Sequence, residues 1–162
     1  MKCKTILYAT PTTQGRNMAQ FELNTYARKT HPFYDLNDFA KGYVEAMFFT
    51  NGDTGDDREN LLNDLGVDRL TRASVAAIKR DCDAFLSKIG PDGCFMRQWL
   101  DRAEYSDERA GNDFWFTRQG HGVGFWCRDD ELTQEQQDAF CTAAKSFGET
   151  HVEVWRGWIH CR

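Results

Sequence analysis

The sequence lacks a long apolar run. No stretch approaches the roughly 20 residues that a membrane-spanning helix requires, and residues 1–7 lack the extended apolar core of a secretory signal peptide. We therefore expect a cytoplasmic protein.

The sequence also lacks an excess of positive charge. Twenty lysines and arginines against 25 aspartates and glutamates give a net charge of −5. General nucleic-acid binders are usually basic, so this balance argues against that class. Inhibitors that mimic DNA are usually more acidic still, so the net charge alone selects neither class.

Paired metal-binding motifs are absent as well. None of the six cysteines forms a CxxC pair, and the four histidines are scattered along the chain. Cysteines of a cytoplasmic protein are normally reduced, so we expect free thiols, no metal site and no cofactor. No catalytic constellation is recognisable from residue spacing either, and the protein is expected not to be an enzyme.

Apolar residues make up 41% of the chain and aromatic residues 14%, which indicates a packed globular protein. A length of 162 residues predicts a single domain spanning 1–162. Residues 1–30 are basic, unlike the acidic remainder, and are predicted to be an extension that covers a sheet face or carries a binding surface.

Four segments have the apolar spacing of helices. Asp35 or Asn37 is placed to cap the first helix, and Thr71 the second. Thr133 and Gln136 form the capping-box pattern of the last. The four predicted segments are 36–49, 71–90, 95–109 and 133–148. Between the first two lies an acidic, glycine-containing loop at 51–59, which lacks the spacing of an EF-hand and is read as a solvated loop.

The segment 113–128, DFWFTRQGHGVGFWCR, predicts a β-hairpin whose turn is Gly120-His121-Gly122. Both arms are aromatic, and side chains alternate between the two faces of a strand. One predicted face is core-like, and the other carries Trp115 and Trp126. A second hairpin is predicted from 151–155 and 158–162. The expected fold class is α+β, with an antiparallel sheet of about four strands built on the aromatic hairpin and helices packed on one face.

The candidate partner-binding residues follow from that hairpin. If the Trp115 face is open, it forms an aromatic platform flanked by charged residues, of the kind that anchors interfaces. The alternative is that the N-terminal segment or a helix covers this face, and a one-residue slip would exchange the two faces. The candidate residues are Trp115, Arg118, His121, Trp126 and Arg128.

Four segments together resemble a known family. They are DFAKGYVEAMFF, RDCDAF, ERAGNDFWFTRQGHGVGFWCRD and KSFGE, within residues 35–155. They are similar to a family of small uncharacterised bacteriophage and prophage proteins that carry an RAGHDFWLTRNGHGAGFWDR-type segment. This chain departs from the family pattern at Asn112, where the family has histidine, at Cys127, where it has aspartate, and in the first thirty residues.

The resemblance implies a phage origin and a life in the cytoplasm of a bacterial host, but no reaction. The leading hypothesis is a non-enzymatic accessory protein that binds a host protein, for host takeover or for inhibition of a bacterial defence system. Trp155 and Trp158 are further candidate anchors. The main alternative is a single-stranded nucleic-acid-binding protein whose aromatic hairpin stacks on bases.

Three weaker alternatives stay open. In an enzyme, His121 would be a general base oriented by Asp113 or Asp129, with Cys127 as a nucleophile. In a mimic of nucleic acid, carboxylates between 53 and 68 would replace phosphates. In a homodimer, the terminal strand would pair with another copy at a sheet edge.

Overall fold

The computed structural model describes residues 22–25, 30–51, 61–90 and 105–162. This part of the chain is α+β and mostly helical. Three short 3-10 helices, Pro32–Asp35, Val67–Arg69 and Phe125–Cys127, join the longer elements. The helices are α1 (Asp38–Thr50), α2 (Leu61–Leu65), α3 (Arg72–Ile89), α4 (Asp107–Arg118) and α5 (Gln134–Lys145), and the strands are β1 (Val152–Trp155) and β2 (Trp158–Cys161).

The predicted helix caps are confirmed for three helices. The Asn37 side chain accepts a hydrogen bond from the Ala40 amide at 2.9 Å and so begins α1. Thr71 caps α3 in the same way, and Thr133 begins α5 with the complete capping box. These side chains satisfy amide groups that have no partner within the helix, so the caps were readable from local sequence.

The predicted aromatic hairpin is wrong. Residues 107–118 form α4, and a loop then leads to the short 3-10 helix Phe125–Cys127. All residues of α4 from Ala110 to Thr117 are buried. A helix buried on every side shows no amphipathic period, so its run of aromatic residues resembled a strand. Ser106 caps this helix by accepting a hydrogen bond from the Arg109 amide.

Two glycines bring α1 and α4 into backbone contact. A Cβ at Gly42 would collide with the carbonyl oxygen of Glu108, and a Cβ at Gly111 would collide with that of Phe39. Each glycine therefore faces the main chain of the other helix. This close approach places α4 at the centre of the described structure.

The core is built from stacked aromatic rings. The Phe85 ring of α3 lies 4.2 Å from Phe114 of α4 and 5.6 Å from Phe125, between their centroids. Phe39 of α1 stacks on Phe85 at 5.7 Å. Aromatic side chains contribute large apolar areas to a core, so these rings connect α1, α3, α4 and the loop after α4.

The C-terminal hairpin is confirmed. β1 and β2 are antiparallel, with Trp155 opposite Trp158. The turn residues Arg156 and Gly157 have φ of 51° and 75°, as a two-residue turn that matches the strand twist requires. The Thr71 amide donates to the Ile159 carbonyl and ties β2 to the start of α3. The expected sheet of about four strands is wrong: in the described residues the sheet has two.

Several predictions fall on other parts of the chain. The basic segment 1–30 lies outside the described residues except for 22–25 and Thr30. The acidic loop lies outside them from residue 52 to 59, and the predicted helix at 95–109 does so from 95 to 104. Among the described residues, no helix is long and apolar enough to cross a membrane.

Candidate functional site

Trp115 is a core residue. Its exposed fraction is 0%, and its indole N–H donates to Thr50 Oγ1 at 2.7 Å. The Tyr43 ring packs edge-on against it at 5.1 Å. The predicted platform of Trp115 with Trp126 therefore does not form, and Trp115 offers no surface to a partner in this structure.

Arg118 connects four parts of the fold. Its guanidinium donates to Asp81 Oδ2 and to the Tyr43 hydroxyl, both at 3.0 Å. It also donates to the carbonyl oxygens of Gly148 at 2.6 Å and Phe147 at 3.4 Å. An arginine with this many donors engaged is held as a structural group. Arg118 therefore joins α4 to α1, α3 and the segment after α5.

Arg128 belongs to a buried ion pair that was not predicted from the sequence. Its guanidinium donates to both carboxylate oxygens of Asp113, each at 2.6 Å, and the Tyr105 hydroxyl donates to Asp113 Oδ2 at 2.8 Å. Burial lowers the pKa of Arg128, but the hydrogen bonds and negative charge of Asp113 outweigh it and raise the pKa above its ordinary value. Asp113 and Arg128 are 15 positions apart in the sequence, and no local pattern indicates their pairing because it depends on α4 being a helix.

His121 and Trp126 lie in the loop after α4 and are both half-buried. The His121 ring packs edge-on against Phe116 at 5.8 Å, and burial lowers its pKa. Trp126 lies under Lys145, whose Nζ is 6.0 Å from the ring centroid. With Trp115, Arg118 and Arg128 in structural roles, the five candidate residues do not make one binding surface.

The arrangement gives no support to the enzyme alternative. The Asp113 carboxylate is engaged by Arg128 and Tyr105, and Asp129 accepts a hydrogen bond from Gln137 at 3.2 Å. Cys127 is disulfide-bonded, which corrects the expectation of a free thiol at this position. In the described ranges, no three histidine, cysteine or acidic side chains cluster as a metal site would require.

Asn112, where the family motif has histidine, is buried in α4. Among the described residues, its side-chain oxygen has no hydrogen-bond partner. Asn112 therefore lies inside the fold and not at an exposed site.

The tip of the C-terminal hairpin is the most prominent exposed aromatic surface among the described residues. Trp155 is 57% exposed and Trp158 is 44% exposed, although both are large apolar side chains. They are cross-strand partners, so both project from the same face of the hairpin. Val154 and Ile159 alternate with them and face the protein, which leaves both indoles in solvent because of strand periodicity.

Two arginines accompany these rings. The Arg156 guanidinium lies 4.4 Å from the Trp155 ring centroid, and that of Arg69 lies 5.5 Å from the Trp158 centroid. Neither arginine forms an ion pair in the described part of the chain. We call the four residues Arg69, Trp155, Arg156 and Trp158 the hairpin tip. It is an aromatic and cationic surface on a protein with a net charge of −5.

Comparison of the chain with family models, with curated proteins and with solved structures gives no match.

Proposed function

We propose that the protein is a non-enzymatic phage accessory protein that binds a protein of its bacterial host through the hairpin tip. The role in host takeover or in inhibition of a defence system would follow from occupying that host surface. The observation that supports this proposal is the pair of exposed indoles, Trp155 and Trp158, beside two arginines that form no ion pair with any described residue.

Exposed tryptophans are unfavourable unless something covers them. Burying a large apolar side chain contributes roughly 1.5 to 3 kcal/mol, and tryptophan and arginine are the residues that most often dominate binding energy. The antiparallel pairing of β1 and β2 places both rings on one face of the hairpin before binding, because Trp155 and Trp158 flank its two-residue turn. Little backbone ordering of the hairpin is then needed when a partner binds.

Charge indicates the kind of host surface. Arg69 and Arg156 supply two positive charges at the hairpin tip, while the chain as a whole is acidic. An acidic surface with an apolar centre would complement the hairpin tip and would be repelled by much of the remaining protein. Binding by this tip would therefore be oriented as well as attractive.

Single-stranded nucleic acid is the second candidate partner, because arginine beside tryptophan also suits phosphate next to a stacked base. In the present arrangement each arginine lies against one ring, so a base would have to use the opposite ring face or displace the cation. The overall negative charge opposes this binding as well.

Both candidates are tested by capture from a bacterial lysate with tagged protein, with and without nuclease. We expect nuclease-resistant retention of a host protein, lost in the double variant Trp155→Ala with Trp158→Ala. The matched control is Phe49→Ala, since Phe49 is 46% exposed but lies on α1. It should retain the host protein.

Other outcomes separate the hypotheses. Retention that disappears on nuclease treatment would assign the hairpin tip to nucleic acid. Retention of the same host protein by the wild type and the double tryptophan variant would contradict the proposed surface.

A further inference from the structure

Among the described residues, the outward backbone groups along the edge of β1 have no hydrogen-bond partner. His151 and Arg162 exchange two backbone hydrogen bonds of 2.9 Å. Along an antiparallel ladder, hydrogen-bonded pairs of residues alternate with pairs that do not bond to each other. Glu153 and Trp155 therefore point their backbone groups at β2. Val152 and Val154 point theirs away from β2, and no hydrogen bond of these outward groups is present in the described structure.

The corresponding edge of β2 is closed. The Ile159 carbonyl accepts from the Thr71 amide at 3.0 Å and from the Ser74 hydroxyl at 3.3 Å. The Cys161 amide donates to Ser74 Oγ at 2.9 Å. The start of α3 thus occupies the place of a third strand on that side.

In the described part of the chain, hydrogen bonds close the edge of β1 at one end only. The backbone N–H and C=O groups of Thr150 point away from β2, as those of Val152 and Val154 do. Its amide donates to Gln119 Oε1 at 2.7 Å, and its carbonyl accepts from Gln119 Nε2 at 2.8 Å. The Gln119 side-chain amide thereby makes the two hydrogen bonds that a neighbouring strand would make. Beyond it, the open edge runs from Val152 to the turn.

We propose that this open edge of β1 binds an extended segment of another protein, which adds as an antiparallel third strand. This inference rests on the proposed function, because the segment would belong to the protein that the hairpin tip contacts. Strand addition to an exposed sheet edge is an established mode of peptide recognition, in which main-chain hydrogen bonds provide affinity. Two outward residues allow up to four such bonds, two at each valine.

The positions around the edge define the segment's chemistry. Residues opposite Val152 and Val154 fall on the side of the hairpin that faces the protein, so they should be apolar. The residue opposite Trp155 falls on the exposed face next to Arg156, so it should be acidic. The residue opposite Glu153 should be neutral, because the Glu153 carboxylate is already paired with Arg162 at 2.9 Å. In chain order the segment therefore presents an acidic residue, an apolar residue, a neutral residue and an apolar residue.

A second copy of this chain fits the edge poorly. Two β1 strands related by a two-fold axis have three registers, in which Val152, Glu153 or Val154 faces itself. In the first register, the partner strand would have to displace the Gln119 side chain from the backbone of Thr150. In the second register, two Glu153 carboxylates lie opposite each other. The third extends the pairing to Arg156, where a φ of 51° ends the extended strand.

Proline at the outward positions tests the proposal. Val152→Pro and Val154→Pro each remove an outward N–H and leave the hydrogen bonds between β1 and β2 in place, which is where edge strands tolerate proline. Val152→Ala and Val154→Ala are the matched controls, since they shorten the same side chains and keep the N–H groups. Circular dichroism and thermal unfolding establish that each variant is folded.

The binding probe is a set of linear peptides selected from a displayed random library against the wild-type protein. We expect acidic-apolar-neutral-apolar sequences that protect the Val152 and Val154 amides from hydrogen exchange. They should bind each proline variant at least tenfold more weakly than its alanine control. Failure to select any peptide, or equal binding by the proline and alanine variants, would overturn the proposal.

Two further results keep this inference distinct from the proposed function. Light scattering that shows a wild-type dimer, lost in Val154→Pro, would assign the edge to a second copy and overturn the proposal. Host-protein capture that is lost in the tryptophan variant but kept in both proline variants would leave the hairpin tip as the binding surface and refute strand addition.

Discussion

The guanidinium of Arg128 and the carboxylate of Asp113 form a two-pronged ion pair inside the protein, with side chains 11% and 0% exposed. The pair joins the middle of α4 to the end of the loop that follows it. Asp113 and Arg128 both lie in the segment 113–128, so the ion pair gives this segment a structural role. It holds the loop between α4 and α5 against the helix.

We predict that Arg128→Ala lowers the free energy of unfolding by about 3 to 5 kcal/mol, because it leaves the Asp113 carboxylate buried without its counter-charge. Urea denaturation measures the change. Combining it with Asp113→Asn should cost less than the sum of the two single changes, since the double variant contains no uncompensated buried charge.

The exposed pair of Lys79 and Asp83 on α3 is the control for this prediction. Asp83→Asn should cost less than about 1 kcal/mol, as exposed ion pairs usually do. Equal losses for Arg128→Ala and Asp83→Asn would show that the buried pair has no special structural role.

Gly111→Ala should destabilise the protein by about 1 to 3 kcal/mol, the usual cost of overpacking. Alanine is the better helix former by about 1 kcal/mol, but its methyl group would collide with the Phe39 carbonyl oxygen of α1. The two effects oppose each other, and the backbone collision is expected to prevail because neither helix backbone can yield without disturbing the core. Thermal unfolding shows whether the variant is less or more stable than the wild type.

Gly122→Ala is the control. An added Cβ at Gly122 meets no atom within 4 Å, so this variant should lie within about 0.5 kcal/mol of the wild type. A Gly111→Ala variant more stable than the wild type would contradict the proposed backbone contact between α1 and α4.

The half-buried position of Glu45 leads us to expect that the stability of the protein depends on pH. Burial first, and then the negative charge of Glu108, raise the pKa of Glu45 above its ordinary value of 4.5. The folded state therefore binds the Glu45 proton more tightly than the unfolded state does. As a result, the contribution of Glu45 to the free energy of unfolding falls as the pH rises above 4.5. Glu45→Gln should be more stable than the wild type at neutral pH, and this difference should fade as the pH is lowered below 4.5.

Chemical denaturation at several pH values tests this expectation. Glu149→Gln removes an equal charge from an exposed position after α5 and is the matched control. A gain in stability from Glu45→Gln that is the same at acidic and neutral pH would contradict the assigned cause.

Local signals in the sequence predicted much of the fold's framework. Asn37, Thr71 and Thr133 were recognisable as caps, because an N-cap depends only on its own side chain and the next few amides. The C-terminal hairpin was recognisable for a similar reason, since Arg156-Gly157 is a short turn between alternating strands. Its exposed tryptophans were among the candidate anchors, and the structure groups them with Arg69.

The segment 113–128 shows the limit of such reasoning. Its aromatic residues have high strand propensity, and propensity is a weak guide where tertiary packing decides. Here α1 packs directly against the backbone of α4 at Gly111, and α3 and the following loop contribute rings to the other sides. A segment surrounded in this way carries no period that would distinguish a helix from a strand.

The sequence by itself determined the caps, the terminal hairpin, the acidic balance and the α+β class, because each follows from neighbouring residues or from composition. Only the tertiary structure decided that Trp115 is buried and that Asp113 pairs with Arg128. It also decided that, within the described residues, the edge of β2 is closed by the start of α3 while that of β1 has no such neighbour. These features depend on contacts between residues far apart in the chain, and the closeness of such residues is created by packing rather than by any local pattern.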